Sequence, residues 1–463
     1  MPAVFYERTA FMSDTIAAIS TGTAVSAIGI VRLSGDRAID IVNTLFKPAA
    51  GTEMAACGDR KLVYGTLCDC DGAALDLCLC TISRAPNSYT GENTAELQCH
   101  GSPAVLRAAL DAIFALGARQ ALPGEFTKRA FLNGRMDLTG AEAVADIIDA
   151  ETAEAAKNAA VQLGGAISRK IDRIYKSLTD ISCHYHAVLD YPDEDIEDFV
   201  LAGYAKDISS AVDTLKKLSD SYAGGRIMQG GIPAAIIGRP NAGKSSLLNA
   251  VLGYDRAIVT DIPGTTRDTI EEKLRLGGVL LRLTDTAGLR DTDDLIEKMG
   301  VERSRKAFES AELVLAVIDG SRSLEKEDAQ IIREAEKAPH AVIIVSKADL
   351  PIVCTLPETS LPALEISSLT GEGIDALAAK IKELFPMPQV PAGEILTNAR
   401  QAEAVKRALE FSEAAMDAML SGCTPDIVLT ETEGAMQALG ELTGRSVRED
   451  VTNRIFERFC VGK

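Results

Sequence analysis

One short stretch of the sequence combines glycine, lysine and serine at a spacing that could hold phosphate. An apolar run at residues 234–237 is followed by Gly238, a short loop, Gly243-Lys244-Ser245 and then a helical run. Glycines let backbone N–H groups turn towards phosphate oxygens, and a helix N-terminus adds a positive dipole. Lys244 is placed to reach the β- and γ-phosphates, and Ser245 to bind Mg²⁺. Because the strand-loop-helix context is present, a chance glycine-rich loop is the weaker reading.

Two segments downstream predict contacts to the γ-phosphate and to Mg²⁺. The strand predicted at residues 280–284 ends in Asp285-Thr286-Ala287-Gly288, where the carboxylate suits a Mg²⁺-bound water and the glycine N–H can contact the γ-phosphate. Between this motif and the loop lies Gly264-Thr265-Thr266, in which a threonine hydroxyl can bind Mg²⁺. We expect Thr266 to be that ligand, together with Ser245.

Two further segments predict recognition of guanine. The strand at residues 341–345 ends in Ser346-Lys347-Ala348-Asp349, and Asp349 can accept two hydrogen bonds from the N1 and N2 edge of the base. Ser367-Ser368-Leu369 follows the next strand and fits a loop beside O6. GTP is expected over ATP, because an unpaired buried polar edge costs about 1–3 kcal/mol. The predicted GTP contacts are Asn241, Ala242, Gly243, Lys244, Ser245, Ser246, Thr260, Asp261, Ile262, Pro263, Gly264, Thr265, Asp285, Thr286, Ala287, Gly288, Ser346, Lys347, Ala348, Asp349, Ser367, Ser368 and Leu369.

These motifs resemble those of the Ras-like, translation-factor-related GTPases. Ser346 stands where that group usually has asparagine. Ras-type enzymes have a glutamine that orients the attacking water at the position of Leu289 or next to it. In related GTPases with asparagine at the position of Asn241, a K⁺ ion takes the place of an arginine finger. The resemblance therefore implies K⁺ ligands at Asn241, Thr260, Ile262 and Thr265. A simple loop cap is the alternative for Asn241.

Composition is that of an ordinary globular chain without a membrane span. Its 463 residues suggest about three domains at roughly 150 residues each, and they are 46% hydrophobic and 25% charged. A net charge of −19 argues against wide nonspecific nucleic-acid binding but not against a local basic patch. We found no apolar run near 18 residues and no signal-peptide pattern, so a cytoplasmic location is expected.

The ten cysteines are expected to be free thiols in that compartment. Cys68, Cys70, Cys78 and Cys80 form a double Cys-x-Cys pattern, which could be a zinc site. Asp71-Gly72 lies between two alternating runs, however, and this is a hairpin signal. Structural cysteines on a β-hairpin are therefore the favoured interpretation, because free cysteine is often buried.

The chain-wide pattern predicts a P-loop domain inserted into a helical one. Short β-rich runs to about residue 120 indicate an α+β domain. A stripe with helical spacing follows, and Gly224-Gly225 and Gly230-Gly231 bracket a boundary before alternating strands and helices. The tail returns to helical spacing. We predict residues 1–125 as the N-terminal domain, 126–226 and 387–463 as the helical domain, and 227–386 as the inserted domain. The stripe consists of Ile167, Ile171, Ile174, Leu178 and Ile181.

The flanking segments resemble one GTPase family. They are Pro86-Asn87-Ser88-Tyr89-Thr90-Gly91-Glu92, the run at residues 123–138 beginning Pro123-Gly124-Glu125-Phe126, and the end Phe459-Cys460-Val461-Gly462-Lys463. Together with the inserted domain they are similar to the MnmE (TrmE) family of tRNA-modification GTPases, over essentially the whole chain. The resemblance implies an α+β folate-binding, dimerising N-terminal domain, a discontinuous helical bundle and an inserted Ras-like P-loop G domain.

The resemblance also implies a reaction, cofactors and partners. The family is a K⁺-stimulated GTP hydrolase that acts with an FAD-dependent MnmG-like protein, in a heterotetramer, on tRNA. The pair uses methylenetetrahydrofolate to place an aminomethyl or carboxymethylaminomethyl group on C5 of the wobble uridine. Carried over by position, the folate derivative (5-formyl or methylene form) would contact Arg32, Glu96, Arg135 and Lys463.

Two residues are expected to be catalytic by the same resemblance. Glu297 corresponds to a glutamate that orients the hydrolytic water, and Cys460 to a cysteine proposed to act in tRNA modification. A solvated acidic face is the alternative for Glu297, and packing beside Phe459 is the alternative for Cys460. A GTPase that serves as an assembly switch would also explain residues 232–385, and an N-terminal domain that only dimerises is a third reading. The assembly switch does not account for the flanking motifs, whereas the third alternative stays open.

Overall fold

The protein is described here from a computed structural model. It describes residues 14–22, 24–190, 201–254, 271–284, 311–386, 390–446, 452, 455–457 and 459–462. The chain divides into two compact units, each built from separated segments of sequence. The first comprises Met1–Ala145, Gln162–Asp195 and Pro425–Lys463, and the second comprises Asp146–Val161 and Ile196–Thr424.

A seven-stranded sheet forms the N-terminal part of the first unit. Its spatial order is β3-β4-β5-β6-β2-β1-β7, and every neighbouring pair is antiparallel except β1 with β7. The strands are β1 (Ile16–Ile19), β2 (Ser26–Ser34), β3 (Phe46–Pro48), β4 (Val63–Cys68), β5 (Ala74–Ser83), β6 (Thr94–Gly101) and β7 (Arg119–Gln120).

Alternating side chains place one face of this sheet in the core. Helices α1 (Ala38–Leu45) and α2 (Pro103–Ala115) contribute to the same core. The strand residues fully buried there include Val31, Leu67, Cys80 and Leu97. The predicted hairpin is confirmed, since β4 pairs antiparallel with β5 across the Asp71-Gly72 turn. The two-residue period of the strands thus decides which side chains are available to solvent.

The remaining helices account for the helical stretches expected from the sequence. The predicted stripe lies on α6 (Ala166–Asp190) and is buried from Ile167 to Ile181. Within the first unit, α12 (Pro425–Thr443) packs along α6. The helices are α3 (Glu125–Leu132), α4 (Leu138–Asp149), α5 (Ala153–Leu163), α6 (Ala166–Asp190), α7 (Leu201–Gly230), α8 (Lys244–Tyr254), α9 (Lys326–Ala335), α10 (Ile374–Leu384), α11 (Ala399–Leu420) and α12 (Pro425–Thr443).

One helix of the second unit continues through the first of the two glycine pairs that the sequence singled out. Helix α7 runs without interruption through Gly224-Gly225 and ends only at the second glycine pair, Gly230-Gly231. Gly225 is required here by packing and not by a turn of the chain, because a Cβ on this residue would lie 2.0 Å from the carbonyl oxygen of Leu396. Glycine at this point lets the neighbouring backbone approach the helix closely, and α11 packs along α7 in the same unit.

A six-stranded, mainly parallel sheet forms the rest of the second unit. Its order is β13-β12-β11-β8-β10-β9, with β9 and β10 antiparallel and the other neighbours parallel. The strands are β8 (Ile232–Gly238), β9 (Glu271–Leu276), β10 (Val279–Thr284), β11 (Leu313–Asp319), β12 (His340–Ser346) and β13 (Ala363–Ile366). Because β8, β11, β12 and β13 are parallel, their carboxyl ends meet at one edge, where ligands bind in open α/β sheets.

The predicted fold class is confirmed by these elements. In the order of the chain, an α+β domain comes first. The strands of the parallel sheet follow α7 and precede α11, so helices flank this sheet in sequence. Among the described helices, none is both long enough and apolar enough to cross a bilayer.

Candidate functional site: a P-loop and a base-recognition edge

The glycine-rich loop lies where the sequence predicts it, between β8 and α8. Gly238 has φ +158° and Gly243 has φ +99°, and a Cβ on Gly238 would lie 2.5 Å from the carbonyl oxygen of Val317 on β11. Asn241 occupies the left-handed region at φ 60°, a conformation that asparagine tolerates better than most residues, and it is exposed. The backbone between β8 and α8 therefore closes tightly on the sheet while its outer side faces solvent.

Lys244 is held across this loop. Its Nζ donates to the carbonyl oxygens of Gly238 and Arg239, at 2.7 Å each. Burial lowers the pKa of Lys244. An ammonium carries three donors, so these two bonds leave one N–H for a phosphate oxygen. Ser245 and Ser246 follow on the exposed first turn of α8.

Ser346 connects the loop to the segment Ser346-Lys347-Ala348-Asp349, which the sequence predicts to recognise the base. Its side chain is 2% exposed, and its hydroxyl lies 2.6 Å from the carbonyl oxygen of Ala242 and 3.1 Å from that of Ile318. The single hydroxyl hydrogen is donated to the nearer acceptor, Ala242. Serine thus makes a direct hydrogen bond between the end of β12 and the P-loop, at the position where the longer asparagine is usual.

Lys347 is oriented by a buried carboxylate on the neighbouring strand. Its backbone has φ 61°, and its Nζ lies 2.7 Å from Oδ2 of Asp319 at the end of β11. Burial acts to raise the pKa of Asp319, but hydrogen bonds from Lys347 and Ser321 outweigh it and lower that pKa. Asp319 was not singled out from the sequence, although its place at the end of an apolar strand is a usable signal.

Asp349 and Ser367 are brought together from different loops. The Ser367 hydroxyl donates to Oδ1 of Asp349 at 2.7 Å, and the N–H of Ala348 donates to the carbonyl oxygen of Ile366 at 3.2 Å. Ser367 is fully buried whereas Asp349 is exposed. The hydroxyl of Ser367 therefore holds one carboxylate oxygen of Asp349, on a residue that is exposed and that a base could reach.

Part of the predicted nucleotide site lies outside the described residues. This applies to the predicted contacts at residues 260–265 and 285–288, to Thr266 as the second Mg²⁺ ligand, to Glu297, and to Leu289. The predicted K⁺ ligands Thr260, Ile262 and Thr265 are among them, so Asn241 is the one K⁺ residue whose position is described.

The N-terminal sheet places two of the predicted folate contacts side by side. Arg32 on β2 and Glu96 on β6 are register partners, and Arg32 Nε donates to Glu96 Oε1 at 2.8 Å. The Arg32 guanidinium also lies 5.6 Å from the ring centre of Tyr89 and 5.7 Å from that of Phe126. Both rings come from motifs that the sequence marked as distinctive, but their contact with Arg32 was not predicted.

Of the other two predicted folate contacts, Arg135 and Lys463, the structure describes only the first. Arg135 is exposed, and its side chain lies against Gly91, where a Cβ would be 3.3 Å from Arg135 Cγ. Gly91 has φ +79°, so the Tyr89-Gly91 turn and Arg135 approach each other closely. Lys463 is not among the described residues.

The C-terminal tail lies against the N-terminal part of the first unit. Val461 forms an isolated bridge with Pro123, the Gly124 N–H donates to the carbonyl oxygen of Cys460 at 3.3 Å, and the Ser20 hydroxyl donates to that of Gly462 at 2.9 Å. The Cys460 residue itself is exposed. The backbone of the tail is thus fixed while the thiol remains accessible.

A buried ion network supports this part of the unit. Arg129 is 3% exposed and contacts Asp14 at 2.7 Å, Glu125 at 2.9 Å and Glu92 at 3.1 Å. Arg119 binds the same Glu125 carboxylate through both terminal nitrogens, at 2.6 and 2.8 Å. Burial acts to raise the pKa of Glu125, but these hydrogen bonds lower it overall. The distinctive run after Pro123 therefore has a structural role in joining α3 to the sheet.

Comparisons with known proteins cover the whole described architecture. The family model "GTP-binding protein TrmE N-terminus" matches residues 15–135, and "MnmE helical domain" matches residues 138–460. The tRNA modification GTPase MnmE of Clostridioides difficile (strain 630) is 39% identical over 462 residues, covering 98% of this chain and 100% of that protein. That of Thermoanaerobacter pseudethanolicus (strain ATCC 33223 / 39E) is 41% identical over 460 residues, covering 97% and 99%.

Among solved structures, a variant of Aquifex aeolicus Era bound to GDP and AlF4⁻ is 24% identical, covers 40% of this chain and 66% of that chain, and has a TM-score of 0.25. A likeness this weak carries no argument. The family models and the relatives are decisive, because one model spans more than half of the chain and the relatives align over nearly its full length. The chain belongs to the MnmE (TrmE) family of tRNA-modification GTPases.

Proposed function

We propose that this protein is a K⁺-stimulated GTP hydrolase that works with an FAD-dependent MnmG-like partner on tRNA. Using methylenetetrahydrofolate, the pair adds an aminomethyl or carboxymethylaminomethyl group to C5 of the wobble uridine of certain tRNAs. The observation that carries the proposal is the joint placement of Lys244, Ser346 and Asp349 at one edge of a parallel sheet, in a chain of this family. The four-part division at residues 125/126, 226/227 and 386/387 and a cytoplasmic location belong to the same proposal.

Guanine is the base that the described edge suits. Asp349 presents a carboxylate whose free oxygen and lone pairs can accept from guanine N1–H and N2–H, while Ser367 fixes its orientation. Adenine offers no matching pair of donors there. A direct test is competition for labelled GTP: GDP should compete strongly and ATP should not.

Mg²⁺ and K⁺ would both act beside the phosphate chain, each held by its own set of residues. Ser245 lies at the exposed start of α8, where its hydroxyl suits Mg²⁺, with Thr266 as the proposed second ligand. Asn241 has an exposed side chain and an amide oxygen suited to K⁺, with Thr260, Ile262 and Thr265 as the proposed partners. The cation supplies positive charge beside the β- and γ-phosphates. Glu297 is proposed to orient the attacking water.

The K⁺ proposal is tested by GTP turnover in matched K⁺ and Na⁺ buffers. We expect faster turnover in K⁺ for the unmodified protein and a smaller difference for Asn241→Ala. Equal rates in the two ions for the unmodified protein would remove the proposed role of Asn241. Nucleotide affinity, measured alongside, separates an effect on hydrolysis from an effect on binding.

A tetrahydrofolate derivative fits the pair Arg32 and Glu96. Glu96 offers a carboxylate to the amide-like edge of a pterin, and Tyr89 offers a partly exposed ring for stacking. Arg135 and Lys463 are proposed to attract the anionic glutamate tail. Titration of 5-formyltetrahydrofolate onto the full chain should show saturable binding that Glu96→Gln weakens. An absence of binding at high ligand concentration would favour an N-terminal domain that only dimerises.

The proposed homodimer would use the outer face of the N-terminal sheet. Ile28, Tyr64 and Leu77 on β2, β4 and β5 are 59, 54 and 55% exposed, and clustered apolar side chains of this kind mark interaction surfaces. A second copy is the occupant we propose. Sedimentation should show a dimer for the unmodified chain and a monomer after Tyr64→Glu. A monomer in both would contradict the proposal.

The coupled reaction is tested on tRNA itself. Wobble uridine from a strain lacking this protein should lose the C5 substituent, and expression of the full chain should restore it. Cys460→Ser tests the proposed catalytic role of the exposed thiol, since normal modification by that variant would remove it. Restoration by a variant without GTP turnover would instead favour an assembly switch.

A further inference from the structure

The structure groups the cysteines of the N-terminal sheet differently from the double Cys-x-Cys pattern. Cys68 and Cys70 lie at the end of β4 and in the hairpin, whereas Cys78 on β5 faces Cys99 on β6. The Cys78 and Cys99 Sγ atoms are 4.0 Å apart. Asp76, two residues before Cys78 on the same strand, completes a group whose ligand atoms all lie within 4.8 Å of one another.

We propose that Asp76, Cys78 and Cys99 form a binding site for a thiophilic divalent cation, Zn²⁺. Tetrahedral zinc with Zn–S bonds of about 2.3 Å separates two thiolate sulfurs by roughly 3.8 Å. The 4.0 Å observed is close to this value and about twice the roughly 2.05 Å of a disulfide. The two sulfurs therefore lie at a separation that a bridging ion would need, with little movement of either strand.

The carboxylate of Asp76 is oriented by its neighbours. Oδ2 accepts the backbone N–H of His100 at 2.8 Å, and Oδ1 lies 2.8 Å from His100 Nδ1. Each oxygen keeps a lone pair for a metal. Hydrogen bonds of this type to metal-binding groups fix their direction and tune affinity. His100 is thus a positioning residue, and Asp76 is the third ligand.

The low exposure of the two cysteines and the chemistry of their thiols suit a bound thiophilic cation. The residues Cys78 and Cys99 are 5 and 2% exposed, while the His100 side chain is 73% exposed and marks the side from which an ion would enter. Binding releases the two thiol protons to solvent and gives two S–Zn bonds and one O–Zn bond, with a water in the fourth position. Two thiolates select Zn²⁺ against Mg²⁺ or Ca²⁺.

The test uses Co²⁺ as a spectroscopic probe on the full, reduced chain after chelation. We expect one Co²⁺ per chain with a thiolate-to-cobalt charge-transfer band, which one equivalent of Zn²⁺ removes. Cys78→Ser and Cys99→Ser should each lose the band. Cys80→Ser is the matched control, because Cys80 is a fully buried cysteine on the same strand and outside the group. It should keep the band and the affinity.

Two milder variants keep the test decisive if the cysteine variants fold poorly. Asp76→Asn should lower the affinity for Co²⁺ at least tenfold, and His100→Gln should lower it by roughly 10–100-fold. Circular dichroism establishes folding for each. The proposal is overturned if the unmodified chain gives no charge-transfer band, if both serine variants keep it, if Cys80→Ser loses it equally, or if folded Asp76→Asn binds as tightly as the unmodified chain.

Discussion

Asp349→Asn should convert the proposed base preference from guanine to xanthine. Ser367 donates to Oδ1, so the introduced amide is expected to keep its oxygen there and to place its NH2 where Oδ2 was. Guanine then loses one hydrogen bond to a charged acceptor, and the introduced NH2 group lies opposite a hydrogen-bond donor of the base. A charged hydrogen bond is worth about 1.5–3 kcal/mol and an unpaired buried donor costs about 1–3 kcal/mol.

The two effects together predict a loss of about 2.5–6 kcal/mol in GTP binding, which is roughly a 60- to 20,000-fold weaker Kd. Xanthine carries a carbonyl oxygen in place of the guanine amino group, and the introduced NH2 can donate to it. We therefore expect XTP to bind the variant about as tightly as GTP binds the unmodified protein.

The assay is displacement of a fluorescent nucleotide by GTP, XTP and ATP, followed by turnover at saturating XTP. Glu365→Gln is a suitable control, because it makes the same carboxylate-to-amide change at an exposed position on β13. A variant that binds GTP within tenfold of the original, or that loses GTP without gaining XTP, would refute the assigned role of the Asp349 and Ser367 pair.

Further predictions concern the connections described above. Ser346→Ala should weaken GTP binding by roughly 5- to 150-fold, from the cost of one unpaired buried carbonyl, while Ser346→Asn should retain it; nucleotide displacement measures both. Arg129→Met should lower the free energy of unfolding in urea by about 3–5 kcal/mol, because it leaves buried carboxylates unpaired, whereas Lys337→Met at an exposed pair should change it by less than about 1 kcal/mol. The pKa of Glu125 in the folded chain lies below its unfolded value of about 4.5. The stability that this carboxylate contributes is therefore complete above that pH and is lost as the pH falls through the folded pKa. Urea unfolding from pH 7 to 3 should show this loss, and Glu125→Gln should reduce it. Gly225→Ala should destabilise α7, seen as a lower melting temperature than Gly203→Ala, because its Cβ would meet a carbonyl oxygen at 2.0 Å while none lies near the control.

Local chemistry made much of the nucleotide site predictable. A P-loop needs its glycines, lysine and serine in one short segment between a strand and a helix, so the motif and its context are read together. The stripe from Ile167 to Ile181 likewise predicts its own helix, because side-chain spacing on a helix is fixed by the backbone. The hairpin at Asp71-Gly72 follows from the same kind of local rule.

Long-range packing decided what the sequence left open. Helix α7 continues through Gly224-Gly225, and the structure explains Gly225 by the Leu396 backbone, which occupies the space that a side chain would fill. Cys68, Cys70, Cys78 and Cys80 read as one cluster, yet the sulfur nearest Cys78 across the sheet belongs to Cys99, 21 residues away. Strand register cannot be obtained from spacing within a single strand.

The sequence by itself determined the glycine-rich loop between a strand and a helix, the place of Asp349 after an apolar strand, and the family, because each depends on residue types in a short run or on motifs in a fixed order. Only the tertiary structure decided which residues from distant segments meet: Ser346 with Ala242, Ser367 with Asp349, Arg32 between Tyr89 and Phe126, and Asp76 beside Cys78 and Cys99. The physical reason is that hydrogen bonds and metal coordination act over about 2–3 Å, and contacts at that range between remote residues are set by how strands pair and helices pack.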